Sequence, residues 1–225
     1  MISRMPNRHE LPSTRIELVL LGIVDGQLSV LLGERHGEPH AGRWALPGGV
    51  LRIDQDADLD AAVQRTAVER LGVALPFFRQ LLTVGSMSRD PGAPWSLAIV
   101  YRALLPADVF QAGAGKRTDE WRWFAAEEAA ADRRLAFEHA ELIGRAIAVT
   151  RSETDQLLLP AGLLPATFTL SELQQVCEQI LGRRLDKASF RRKLAERELV
   201  QPIEGEMRGG ANRPAQVHRL RVAGS

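Results

Sequence analysis

The chain has 225 residues, of which 45% are apolar and 25% charged, with 29 Lys and Arg against 28 Asp and Glu. That balance suits a soluble protein of one or two packed domains. A single cysteine, Cys177, excludes an internal disulfide, and the longest apolar run, Leu18 to Val24, is far too short to span a bilayer. No signal-peptide pattern opens the chain, so the expected location is the cytoplasm. The charge is unevenly placed. Up to Val149 there are 17 basic and 19 acidic residues, whereas after Leu181 there are 11 basic and 5 acidic. A basic C-terminal segment points towards nucleic acid.

Residues 1–14 are polar and read as a loose N-terminus. Thr14 to Val24 is rich in Ile, Leu and Val and reads as a buried strand. Asp25-Gly26 signals a type I′ hairpin returning along Gln27 to Gly33. A loop follows with Arg35, His36 and His40, each placed to line a ligand mouth. After it comes Trp44-Ala45-Leu46-Pro47-Gly48-Gly49, an Asp-rich loop, and a helix with an apolar stripe of Leu59, Ala62, Val63, Ala67 and Leu71. Asp56 or Asp58 caps its start, and Gly72 suits the left-handed position beyond its end.

This loop and helix resemble the Nudix box, G-x5-E-x7-R-E-U-x-E-E-x-G-U with U apolar, which binds a diphosphate through Mg²⁺. In an active enzyme of that kind Thr66, Glu69 and Arg70 would all be Glu, because Mg²⁺ takes oxygen ligands. Only Glu69 remains. Arg70 sets a fixed positive charge where the cation belongs, and like charges at 4 Å cost about 1–4 kcal/mol, depending on the dielectric. Gly49 to Arg65 is two residues longer than the usual spacing, and Gln55 stands near the usual first Glu, with Asp54, Asp56 and Asp58 nearby. The reading is a diphosphate pocket without its catalytic metal cluster, with no metal expected. A guanidinium at Arg70 matches phosphate oxygens directly.

Beyond the box, Phe77 to Gly85 and Trp95 to Leu105 read as strands, with Trp121 to Phe124 a short aromatic strand. Glu138 to Asp155 has a helical pattern in Ala140, Leu142, Ile143, Ala146 and Ile147. Strands on both sides of a central helix, closed by a later one, predict an α/β/α sandwich with a mixed sheet. Leu157 to Pro165, apolar with two prolines, marks a packed boundary between a domain at 15–157 and another at 158–225.

In the second domain Thr169-Leu170-Ser171-Glu172 is a capping box, and its helix buries Leu173, Val176, Cys177, Ile180 and Leu181. Asp186 caps a second helix, Lys187 to Glu198, with Phe190 and Leu194 inward and Lys187, Ser189, Arg191, Arg192 and Lys193 on its other face. Val200 to Arg221 reads as a hairpin turned near Gly209-Gly210, with Arg208, Asn212 and Arg213 about the tip. Helix, turn, basic helix and basic hairpin follow the order of a winged helix-turn-helix. Thr169 and Ser171, at the first helix's start, complete the expected DNA contacts.

The two halves together resemble the Nudix-related transcriptional regulators of NAD metabolism, the NrtR family, over about Arg15 to Arg221. The resemblance is carried by Gly42-Arg43-Trp44-Ala45-Leu46-Pro47-Gly48-Gly49, Arg89-Asp90-Pro91 and Leu135 to Glu141. It is most specific in Phe168 to Gln174, Leu181-Gly182-Arg183 and Leu185 to Leu194. It implies a homodimeric repressor on palindromic operator DNA, released by ADP-ribose, with no catalysis, no cofactor and no membrane partner. Arg35, Arg43, Gly48, Gly49, Arg52, Glu69, Arg70 and Arg89 are the expected effector contacts. The alternatives are a sugar-sensing regulator of the same architecture, a Mg²⁺-dependent hydrolase using Glu69, Asp54 and Asp56, or an adaptor whose second domain binds protein.

Overall fold

The computed structural model describes residues 12–93, 95–109, 120–209 and 214–221. The first sheet begins with β1 (Ser13–Val24), whose side chains alternate between two cores. Ile16, Leu18 and Leu20 face one helix, and Val19 and Leu21 face the opposite layer. That two-residue period makes β1 the central strand of a sandwich. β2 (Gln27–Glu34) returns antiparallel through Asp25 and Gly26, both at positive φ, as a type I′ turn requires.

Two short strands follow, β3 (Trp44–Ala45) on β2 and β4 (Gly48–Val50) on β1. At Gly48 a Cβ would stand 2.9 Å from the Ile16 carbonyl oxygen, so only glycine lets β4 approach β1 this closely. Helix α1 (Leu59–Leu71) starts at Asp58, whose carboxylate accepts from the Ala61 N–H, and ends at Gly72 in the left-handed region. It buries Ala62, Val63, Ala67 and Leu71 against one face of β1.

β5 (Arg79–Ser86) pairs antiparallel with β6 (Ser96–Leu104), which runs parallel to β1, so the sheet is mixed. β7 (Trp121–Ala125) adds to β2 and leads into α2 (Ala126–Ala131) and α3 (His139–Asp155). These two helices cover the second face through Ala126, Ala129, Leu142, Ile143, Ala146 and Ile147, completing the expected α/β/α sandwich. Arg102 of β6 pins α3 to the sheet, donating to Thr150 Oγ1 at 2.6 Å and to Glu153 Oε2 at 2.5 Å.

The C-terminal part has a separate core. β8 (Phe168–Thr169) runs into α4 (Leu170–Leu181), which carries the expected capping box: Glu172 N–H donates to Thr169 Oγ1, and Glu172 Oε2 accepts from Thr169 N–H. Asp186 caps α5 (Lys187–Glu196) through the Ser189 N–H. β9 (Val200–Arg208) and β10 (Ala215–Leu220) form the hairpin, and β10 also pairs with β8. Phe168, Leu173, Cys177, Phe190 and Leu194 fill this core. Burial pushes the Cys177 thiol up to about 12, which leaves it a structural residue. Ile180 of α4 packs instead into the α3-side core of the first sheet, so the joint between the two parts is packed. Among the described residues no helix is long and apolar enough to cross a membrane.

Candidate functional site

At one end of the first sheet lies a cavity of about 510 Å³, within the range of small-molecule sites. Its basic lining is Arg15, Arg35 and Arg70 with His36, and its aromatic lining is Trp121 and Phe137. Arg70 reaches it from α1 and donates its Nε–H to the Gly48 carbonyl at 3.0 Å. Arg35 is held over the Phe137 ring, 4.6 Å from its centroid, by donating to the carbonyls of Pro39 and Gly37. The guanidinium lies over the ring as a cation over an aromatic. His40 packs edge-on against Phe137 with centroids 4.8 Å apart. Burial, then Arg43 and Arg35, hold its imidazole below the ordinary value.

The cavity also contains a buried ionic group that local sequence pattern did not announce. Glu17 of β1 accepts from Arg89 at 2.5 Å and faces His139 Nε2 at 3.4 Å, long for a hydrogen bond. His139 Nδ1 accepts from the Leu46 N–H at 2.9 Å. Burial pushes the Glu17 carboxyl up, but His139, Arg89 and Arg15 together outweigh it and hold the group below its usual value. Phe137 and Glu138, which lead into His139, are non-glycine residues at φ 52° and 58°. Such backbone concentrates at functional sites.

The other expected effector residues lie elsewhere. Thr66 is buried and packs on Gly49, outside the cavity lining. Glu69 is gripped by Arg52 at 2.7 and 3.0 Å and touched by Arg65 at 3.3 Å. Thus Thr66, Glu69 and Arg70, expected on one face, turn to three different surroundings. Arg43 is exposed, and its backbone closes the loop of Arg35. Arg89 supports Glu17 from outside the lining. Asp56, a candidate acid, accepts two bonds from Arg65 at 2.6 and 2.7 Å and one from the Arg52 N–H at 2.8 Å. Among the described residues no three His, Cys, Asp or Glu gather as a metal site.

The Asp56–Arg65 pair has a pH signature. Hydrogen bonding from Arg65 lowers the Asp56 carboxyl from 3.8 to about 2. A depressed acid stabilises the fold above its unfolded value and loses that contribution as pH falls through the folded one. Part of the wild-type thermal midpoint should therefore disappear between pH 4 and pH 2. Asp56→Asn should melt lower at pH 7 and show a shallower acid limb; equal slopes for the two proteins would show that the pair does not contribute.

On α5, Lys187, Arg191 and Arg192 are exposed. Lys193 is exposed as well, and with the half-buried Ser189 it also lines a cleft that includes Asp155 and Arg183. Thr169 is buried as the cap of α4, and Ser171 is exposed beside it. Arg208 is engaged within the chain, donating to both Glu172 oxygens at 2.8 and 2.7 Å and to the Thr167 carbonyl at 3.1 Å. It ties the hairpin to the start of α4. Asn212 and Arg213 lie outside the described residues. A larger cleft of about 970 Å³ lies between α4 and the β1–β2 turn, but its walls mix Glu127, Glu128 and Glu178 with Arg183, Arg184 and Lys187 and hold no aromatic residue. The smaller cavity has the more coherent chemistry.

Comparison with known proteins agrees with both halves. Residues 14–146 match the NUDIX domain, and residues 160–220 match the NrtR DNA-binding winged helix domain. An ADPR responsive transcriptional repressor, NtrR, of Acinetobacter baylyi is 34% identical over 209 residues, covering 93% of this chain and 82% of that protein. This chain belongs to the NrtR family. The crystal structure of Shewanella oneidensis NrtR complexed with a 27mer DNA is 32% identical, with a TM-score of 0.79 over 92% of this chain and 93% of that one. The NUDIX domain of the same NrtR complexed with ADP ribose is also 32% identical, with a TM-score of 0.57 over 65% of this chain and 94% of that one.

Proposed function

We propose that this NrtR-family chain is a cytoplasmic repressor of NAD-metabolism genes. Its Nudix-like part, 15–157, holds ADP-ribose without cleaving it, and its winged helix, 158–225, then releases operator DNA. A homodimer would place two winged helices on a palindrome. The observation that carries this reading is Arg70, a cation at a position where a hydrolase needs a carboxylate, turned into a cavity it shares with Arg15 and Arg35. Three guanidiniums suit a diphosphate, and Trp121 in the same lining offers an aromatic surface to a base. The name of the Acinetobacter relative and the two Shewanella complexes support the same ligands.

Gly48, Arg35 and Arg70 are the effector contacts retained from the sequence, joined by Arg15, Phe137 and Trp121. The hydrolase reading is weakened because Asp56 and Glu69 are already held by arginines. Purified protein mixed with a duplex that it selects from random DNA should give a retarded band, and ADP-ribose should dissolve it while free ribose does not. Retardation indifferent to ADP-ribose would refute the effector assignment. Failure to retard any DNA would favour a protein-binding adaptor.

A further inference from the structure

Helix α3 joins the cavity to the winged helix. Its first residue, His139, lines the cavity and accepts from Leu46 N–H, while Phe137 just before it forms cavity wall beneath Arg35. Its last turn holds the ends of both winged-helix helices. Arg151 donates Nε–H to the Ile180 carbonyl of α4 at 2.9 Å and pairs with Glu127 of α2. Asp155 pairs with Arg183, just beyond α4, and the carbonyl of Gln156, which follows α3, accepts from Arg197, just beyond α5, at 2.7 Å. Seventeen helical residues span about 25 Å, so one rigid element reaches from cavity to DNA domain.

The ends of this helix are unusual. Six described non-glycine residues have positive φ, and three of them flank α3: Phe137 and Glu138 before it, and Leu157 after it at φ 62°. Leu157 closes the helix through its N–H to Thr154 and buries its side chain in the winged-helix core. Left-handed backbone of this kind persists only where its surroundings impose it, and it recurs in switch segments. Between these ends the helix is packed on the sheet by Leu142, Ile143 and Ile147 and pinned by Arg102 to Thr150 and Glu153. A ligand that displaces Phe137 would therefore press on the start of a stiff helix whose far end is tied to both the sheet and the winged helix.

We propose that α3 carries the state of the cavity to the winged helix, with Phe137 to His139 as its reading end and Arg151 as its output end. This rests on the effector reading above and deepens it. Arg151 is a positioning residue: it lies outside the lining of the cavity, and it borders the larger cleft that Lys187 of α5 also lines. The test is a comparison of affinities for a selected DNA duplex, by fluorescence anisotropy, with and without saturating ADP-ribose, alongside calorimetry of ADP-ribose alone. Wild type should lose about 5- to 150-fold in DNA affinity on binding effector, the usual range of coupling. Arg151→Met should keep each separate affinity within about threefold of wild type while its coupling ratio falls to about a tenth of the wild-type value or to unity.

Glu138→Gly is the second variant, because Glu138 is exposed, lines no part of the cavity, and glycine accepts its backbone conformation freely. It should also keep both affinities and lose most of the coupling. If Arg151→Met does not fold, Glu138→Gly decides alone. A wild-type coupling ratio in whichever variant decides overturns the role of α3. A wild-type protein whose DNA affinity ignores ADP-ribose overturns the effector reading itself, and this proposal with it.

Discussion

Replacing Arg70 by glutamate is expected to lower ADP-ribose affinity by at least about 100-fold. A hydrogen bond to a charged group contributes roughly 1.5–3 kcal/mol, so its loss alone is worth about 10- to 150-fold. The new carboxylate adds repulsion towards a dianionic diphosphate, about 4 kcal/mol for each unit charge at 4 Å with an effective dielectric of 20 and less where water enters. Arg70→Ala should fall between the two, and Arg70→Lys should recover only part, since an ammonium lacks the planar fork. The glutamate also restores one carboxylate of the Nudix pattern. It should nevertheless give no hydrolysis, because Thr66 is buried on Gly49 and Glu69 is held by Arg52 and Arg65. Calorimetry on the three variants checks the order, and an Arg70→Glu protein that binds as wild type removes Arg70 from the site.

The second large effect concerns the exposed face of α5. The double variant Arg191→Ala, Arg192→Ala should weaken binding to selected and random DNA alike by roughly 30- to 150-fold, taking about 1–1.5 kcal/mol for each phosphate contact. The slope of log affinity against log salt should become shallower by about 1.8, or 0.9 for each neutralised phosphate lost. Arg192 also pairs with Glu196 at 3.6 Å, but both side chains are well exposed, so breaking that pair has little effect on stability. Ser189→Ala and Lys193→Ala are the contrast. Ser189 carries no charge, and Lys193, although exposed, also lines the cleft with Asp155, so each should change the salt slope less than the double variant does. If Lys193→Ala changes the slope while the double variant does not, α5 meets DNA by the opposite face.

What was legible in the sequence was local. The β1–β2 turn at Asp25-Gly26, the cap read as Asp56 or Asp58 and formed by Asp58, the capping box of Thr169 and Glu172 and the cap at Asp186 each involve residues a few positions apart. Each therefore leaves its mark in a short window. The mixed sheet followed from apolar runs whose burial on both faces needs helices above and below. Helix α2 was not visible, because its six residues, with four alanines, carry no amphipathic period; Ala126 and Ala129 become helical against a sheet they meet only in the fold.

The cavity was half legible. Gly48 and Arg70 lie in a recognisable motif and Arg35 in the loop before it, but Glu17 and His139 meet only across the fold, and the Leu46–His139 bond joins residues 93 positions apart. Helical spacing placed Thr66 and Arg70 together as neighbours four apart. Burial separated them, since a threonine short enough to pack on Gly49 goes inward and an arginine reaches past it. Arg208, read as a DNA contact at the hairpin, also holds Glu172, a partner 36 residues away that no local pattern could indicate.

A Nudix-like domain that reads ADP-ribose as a signal should leave it intact. Wild-type protein should therefore be incubated with ADP-ribose and excess Mg²⁺, and AMP and ribose 5-phosphate followed by chromatography over hours. ADP-ribose should be recovered unchanged, at protein concentrations where calorimetry shows it bound. Steady release of AMP at a median enzymatic turnover, on the order of 10 per second, would contradict it.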